Sequence, residues 1–150
     1  MALKIPPFLV CLFFGGLMYL LSTFLPVGYF DFFGRVVLIK SLIVLGIITC
    51  LLAIFQFYRK KTTIDPSEPS KASVLVTGGI YNYTRNPMYL SMLLFLLAWG
   101  LWLGNAFNIL FAAGYVAYMN RFQIMPEERA LKMRFGKAYD RYLVLVRRWF

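Results

Sequence analysis

The 150-residue chain has no histidine, six acidic residues, two cysteines and only 15% charged residues. Without an imidazole, proton transfer falls to a carboxylate, tyrosine, lysine or cysteine, and the commonest metal ligand is missing. Cys11 and Cys50 lie inside apolar stretches with no second cysteine nearby. Neither a disulfide framework nor a zinc site is supported, and no metal is expected. The shortage of charge accompanies 61% hydrophobic and 19% aromatic content, well above the globular average. Soluble folds, secreted disulfide scaffolds and disordered tails are excluded, and an integral membrane protein is expected.

Uncharged stretches run over residues 5–30, 41–58 and 86–120, against the roughly 20 apolar residues a helix needs to cross hydrocarbon. The first has no small-x-small cleavage site around Ser22-Thr23-Phe24-Leu25-Pro26 and reads as a retained span over 8–25. Pro26, Gly28 and Asp31 mark a turn, and a second span follows over 36–58. The third stretch is too long for one crossing. As a single helix it would be roughly 52 Å long against about 30 Å of hydrocarbon, and Leu103-Gly104-Asn105 interrupts it with a turn signal. It predicts a helical hairpin, 87–102 and 106–120.

Sixteen Lys and Arg against six Asp and Glu give a net charge of +10. In so apolar a chain this points to anionic headgroups and membrane orientation rather than nucleic acid. With four spans, Arg59, Lys60, Lys61, Lys71 and Arg85 share one face with the basic tail 121–150, while Arg35 and Lys40 fall on the other. Three spans would set the two basic segments on opposite faces, against the positive-inside rule. The expectation is one all-α membrane domain over 1–150, with four transmembrane helices and both termini cytoplasmic, in a prokaryotic cytoplasmic membrane.

Two polar segments exceed a connector's needs. The Pro/Ser-rich piece 62–70 predicts irregular structure and is followed by Val74-Leu75-Val76 and Gly78-Gly79. In the tail, Pro126 suits a first helical position, and Leu131, Phe135, Tyr139, Tyr142 and Val146 recur at spacings of four, four, three and four. That predicts a basic amphipathic C-terminal helix at the cytoplasmic membrane interface.

Chemistry concentrates in two places. In Tyr81-Asn82-Tyr83-Thr84-Arg85-Asn86-Pro87-Met88-Tyr89, Asn86 is a good N-cap and Pro87 a good first residue. A helix N-terminus there could hold a carboxylate or phosphate; the plainer reading is a capped span with Arg85 and two tyrosines anchoring it to headgroups. In Pro126-Glu127-Glu128, acidic residues in a first turn complement the helix dipole, or could accept ribose hydroxyls or pair with an ammonium. The hairpin returns both segments, about 73–89 and 121–150, to one membrane face.

Gly79-x-Tyr81, Arg85-Asn86-Pro87-x-Tyr89, Glu127-Glu128-x-x-Leu131, Phe135-Gly136-x-x-Tyr139-x-x-Tyr142 and Val146-x-Arg148 resemble the isoprenylcysteine carboxyl methyltransferase and phospholipid methyltransferase superfamily of integral membrane enzymes. The resemblance covers about 60–150. It implies S-adenosylmethionine bound at the cytoplasmic face by Ser73, Val74, Leu75, Val76, Tyr81, Asn86, Pro87, Met88, Tyr89 and Glu127, with Glu128 alongside. Two positions depart from the family. Asn86 stands where Arg-His-Pro is usual, which removes an ionisable ring. Gln123 stands where prenylcysteine enzymes carry a substrate-facing arginine.

Methyl transfer from a sulfonium is an in-line displacement, so alignment and exclusion of water are the protein's main task. Arg85 and Arg121 are expected to orient an anionic group on a lipophilic acceptor: a prenylcysteine-like carboxylate, a lipid headgroup or a small hydrophobic molecule. Glu127, Glu128 or a tyrosine would take a proton where the acceptor carries one. The competing readings are a nicotinamide-dependent reductase of sterol-reductase type, whose relatives present a similar Arg-Asn-Pro-x-Tyr segment, and a non-catalytic membrane subunit.

Overall fold

The computed structural model describes residues 5–25, 27–60 and 74–150. Ser73, Lys61, Lys71 and the irregular piece expected over 62–70 lie outside the described residues. Six α-helices are described: α1 Pro7–Phe24, α2 Arg35–Lys60, α3 Pro87–Leu103, α4 Asn108–Tyr118, α5 Met125–Phe135 and α6 Lys137–Leu145. A single 3-10 turn, Gly79–Asn82, precedes α3, and a π-helical stretch, Met119–Ile124, joins α4 to α5. Among the described residues there is no strand, only an isolated antiparallel bridge between Tyr29 and Asn105.

The helices begin and end where local chemistry dictates. Pro7 and Pro87 open α1 and α3 at a position whose N–H has no intrahelical partner in any case. α3 stops at Gly104, whose φ of 68° lets its N–H turn back to the carbonyls of Gly100 and Leu101. A Cβ there would sit 3.0 Å from the Tyr29 ring. α1 and α2 are long and apolar enough to cross a membrane, and α3 is a shorter apolar helix.

The α1–α2 and α3–α4 loops are stitched together at one end of the bundle. Phe30 N–H donates to Gly104 O (3.0 Å), Ala106 N–H to Gly28 O (2.9 Å) and the Asn105 amide to Leu25 O (3.2 Å). At the opposite end the start of α1, the end of α2, the start of α3 and α5 surround one cavity. The first four helices therefore run alternately up and down between a loop end and a cavity end.

Val10 and Met18 of α1, Tyr89, Leu93 and Leu96 of α3, and Ala112 and Tyr115 of α4 form the main core. Trp99 Nε1 donates to Gly15 O (3.1 Å) and the Asn108 amide to Ser22 Oγ (3.2 Å), satisfying polar groups across helices. α2 packs differently. Its buried residues are Ile39, Gly46, Thr49 and Ala53, a narrow stripe that lets α3 approach closely. A Cβ on Gly46 would lie 2.7 Å from the Phe95 ring. Its remaining surface exposes Val37, Val44, Leu45, Ile48 and Leu51, and α1 and α4 likewise expose Phe13 and Leu110. So large an apolar surface needs a lipid environment.

The C-terminal third departs from expectation. The helix begun in α4 does not end near residue 120; it continues through the π-helical stretch into α5, with Met125 N–H bonded to Asn120 O. Pro126 lies just beyond it. A proline in a continuous helix lacks an N–H and crowds the carbonyl four residues back, and a widened turn before it relieves both problems. The expected single amphipathic helix is two, α5 and α6, broken at Gly136, where φ is 51° and ψ −126°. Its apolar stripe faces protein: Tyr139, Tyr142 and Val146 are buried with Ala53, Val76 and Tyr81, and Leu131 and Phe135 pack against them.

Candidate functional site

The cavity at this end holds about 370 Å³, within the usual range for small-molecule sites. Its walls include Val74, Leu75, Val76, Tyr81, Asn86, Pro87, Met88, Tyr89 and Glu127, every predicted cofactor residue except Ser73, which lies outside the described residues. Arg85 and Glu128 also line it. Arg121 does not: it is exposed on the outer side of the π-helical stretch, so the expected Arg85–Arg121 pair is not assembled.

The two adjacent glutamates have separate surroundings. Glu127 Oε1 accepts from the Tyr89 hydroxyl and from Gln123 Nε2 at 2.9 Å; the same amide nitrogen lies 3.3 Å from the Tyr89 hydroxyl. Gln123 is buried, held by the π-helical stretch one turn before Glu127. Burial pushes the Glu127 carboxyl from 4.5 up to about 7, against the pull of the Tyr89 and Gln123 hydrogen bonds toward the ionised form.

Glu128 serves a different set of partners. Its Oε1 accepts from Arg85 Nη2 (2.9 Å) and Arg148 Nε (2.9 Å), and its Oε2 from Arg148 Nη2 (2.7 Å). The paired fork of Arg148 holds its guanidinium charged. Arg85 also donates to Leu143 O (3.0 Å). Three more bonds tie the tail to the segment before α3: Arg85 N–H to Arg147 O, and Thr84 Oγ1 and the Asn86 amide to Arg148 O, each 3.0 Å. Asn86 sits at the expected cap position, yet its side chain caps nothing and holds the tail instead. Among the described residues no side chain closes the first turn of α3.

The tail thus forms a wall of the cavity. Tyr139 and Tyr142 of α6 line it together with Tyr81 and Phe57, against which they pack, and the Tyr142 hydroxyl is fixed on Tyr81 O at 2.7 Å. Burial raises the pKa of all three tyrosines, so each stays neutral. The expectations missed Phe57, Met92, Tyr139, Tyr142 and residues 6–8 at the start of α1 as lining, and Gln123 and Arg148 as partners of the glutamates. Arg148 carried a signal, since it belongs to the motif that suggested the family. Gln123 stood out only as a departure from it.

The geometry is that of a pocket at one end of an apolar helical bundle, with aromatic walls, a half-buried carboxylate and an uncapped helix start. The family model of phospholipid methyltransferases matches residues 34–138. The chain belongs to the phospholipid methyltransferase family. That family falls within the isoprenylcysteine carboxyl methyltransferase-like group of membrane methyltransferases. The match takes in all of α2, which the motif resemblance did not cover, and ends in α6 before Tyr139. Membership, together with the apolar helices, makes this a membrane protein and supports methyl transfer to a lipid-type acceptor; the reductase reading gains nothing from it. Over 62 residues the chain is 52% identical to an uncharacterized protein of Haemophilus influenzae, a match covering 41% of this phospholipid methyltransferase family member and 98% of that relative. No solved structure matches.

Proposed function

We propose that this protein transfers a methyl group from S-adenosylmethionine to a lipophilic acceptor at the cytoplasmic face of a membrane that it crosses four times, through α1, α2, α3 and α4. The supporting observation is the convergence of the matching motifs on one cavity between the start of α3 and the start of α5. The donor set fits the cofactor's chemistry. Val74, Leu75 and Val76 offer an apolar face to an adenine, the uncapped start of α3 offers N–H groups to a carboxylate, and Glu127 accepts from an ammonium or ribose hydroxyls. Neutral Tyr81, Tyr139 and Tyr142 suit a sulfonium through their ring faces. When bound, the cofactor supplies an electrophilic methyl group.

The chain's own contribution is alignment and dryness. Met92, Phe8 and Phe57 form the apolar side of the cavity, where α1, α2 and α3 meet the lipid, and an acceptor enters there with its reactive end toward Glu127 and Tyr89. Arg85, the cation on the described cavity wall, is committed to Glu128 and Leu143 O. This favours a lipid headgroup or small lipophilic molecule over a prenylcysteine carboxylate, which would need a free cation. Glu128 and Arg148 hold the tail wall and are positioning residues. The charge bias supports a cytoplasmic side for both termini.

Incubating the purified protein with radiolabelled methyl donor and a membrane lipid extract tests the reading: label should partition into lipid or a small lipophilic product and be lost in Glu127→Ala. Calorimetry should show heat with S-adenosylmethionine and none with a nicotinamide dinucleotide. Accessibility labelling that found positions 89 and 127 on opposite membrane faces would overturn the topology.

A further inference from the structure

Gln123 is a neutral side chain buried at the base of a charged site. Its amide spans the two groups that the cavity brings together, reaching Glu127 Oε1 at 2.9 Å and the Tyr89 hydroxyl at 3.3 Å. Tyr89 donates to the same Oε1. Both donors therefore crowd one oxygen, and no hydrogen bond from a described residue reaches Oε2, whose lone pairs are left for the contents of the cavity.

We propose that Gln123 and Tyr89 form a two-donor cradle that favours the ionised form of Glu127 and aims it into the cavity, and that this anchored carboxylate recruits the positively charged end of the methyl donor. Gln123 is thus a positioning residue that sets the pH range over which the site binds. The proposal rests on the functional reading above and extends it to a residue outside the cavity lining.

The physics depends on competition at one carboxyl. Removal from water favours its neutral form, and two donors on one oxygen favour the charged form. The other groups around it are few. Glu128, next on α5, opposes ionisation and is itself covered by Arg85 from the loop before α3 and Arg148 from the tail. Tyr81 of the 3-10 turn, Tyr139 and Tyr142 of α6 are neutral phenols. None of these supplies a donor to Glu127, so among the described residues the cradle alone opposes burial. A cation beside Oε2 adds to the cradle's effect, and the cradle prepares the carboxylate for the cation. Binding and ionisation are linked.

The test follows the carboxyl directly. In the full-length detergent-solubilised chain, the infrared band of a protonated carboxyl that vanishes in Glu127→Gln is titrated in the wild type, Gln123→Leu and Tyr89→Phe. Each variant removes one donor and keeps the volume of the buried group. The midpoint should rise by about one to two pH units in each, the shift expected for losing a hydrogen bond to a charged acceptor. Affinity for the demethylated product of S-adenosylmethionine should fall about tenfold near neutral pH in Gln123→Leu and recover about two pH units higher. A merely structural role for Gln123 gives a loss that alkali does not repair. An unchanged midpoint in both variants overturns the cradle whatever the cofactor does. If the wild type binds neither S-adenosylmethionine nor its product, the functional reading fails, while the titration still decides the cradle.

Discussion

Replacing Glu128 with alanine should loosen the C-terminal wall of the cavity, by an amount that the exposure of its two partners sets. The Glu128 and Arg85 side chains are 15% and 11% exposed, whereas Arg148 is 37% exposed. Glu128→Ala strands the Arg85 guanidinium, whose Nε already has no partner, with only Leu143 O for company. Breaking a pair so withdrawn from water costs about 3 kcal/mol or more. Arg148→Ala removes a bidentate but solvent-screened partner and leaves Arg85 on Glu128, so its cost is about 1–2 kcal/mol. Both changes destroy the same Arg148–Glu128 contact. The double variant should therefore cost little more than Glu128→Ala alone, with a coupling of about 1 kcal/mol. Unfolding in detergent micelles followed by tryptophan fluorescence checks this, because Trp149 Nε1 docks on Asn120 Oδ1 at 3.1 Å and reports release of the tail. A fall of about 6–12 °C is expected for Glu128→Ala and about 2–8 °C for Arg148→Ala. Equal losses in the two single variants, or strict additivity in the double, would refute the clamp.

Glu127→Gln should behave in the opposite way. The folded-state pKa of about 7 lies above the usual 4.5, so the folded protein binds this proton more tightly than the unfolded chain does. Its stabilising effect is complete below about 4.5 and lost as pH rises through 7, a total of about 3 kcal/mol. The glutamine variant lacks that slope. Denaturant midpoints should be similar to the wild type in acid and higher near pH 8, with cofactor affinity reduced about tenfold to a hundredfold; parallel pH curves would sink the assignment. Gly136→Ala should cost about 1–3 kcal/mol through backbone strain alone, since the added methyl meets no atom within 4 Å, and thermal melts compared with Lys137→Ala measure it. Gly46→Ala places a methyl 2.7 Å from the Phe95 ring and should cost about 1–3 kcal/mol by pushing α2 off α3, read as a lower melting temperature; an unchanged melt would mean the two helices do not pack as described.

The helical parts of the bundle were legible because hydrocarbon imposes a length and a composition that local sequence must satisfy. The apolar stretches expected over 8–25, 36–58 and 87–102 fall on the helices Pro7–Phe24, Arg35–Lys60 and Pro87–Leu103, and the Gly104 turn is where the glycine pointed. The C-terminal third was less legible because the same signals admit two structures. Spacings of four, four, three and four run through Gly136 as though the helix were continuous; the apolar stripe keeps its phase, but the backbone does not. Pro126 misled in the other direction. Proline marks a start by its missing N–H, and here a π-helical turn absorbs that defect so that the helix passes through it.

The roles within the site depended on contacts that no local pattern carries. Arg85 reads as a substrate-facing cation until residues 143–148, some sixty positions away, bring Leu143 O and Arg148 beside it and its carboxylate. Neighbours on a helix point about 100° apart, and this separates the paired glutamates. Once Glu128 is turned toward the two arginines, Glu127 must face Tyr89 and Gln123. The division is useful electrostatically. A carboxylate left beside two guanidiniums would stay ionised but neutralised, with nothing to offer a ligand; one buried without donors would take up a proton and lose its charge. Placing the arginines on Glu128 and the uncharged donors on Glu127 leaves one negative site facing the cavity that no cation among the described residues has already claimed. Exchanging the order of attraction, by Gln123→Arg, should lock Glu127 in an internal ion pair and abolish its pull on a cationic donor, read as a loss of affinity for the methyl donor that raising the pH does not restore.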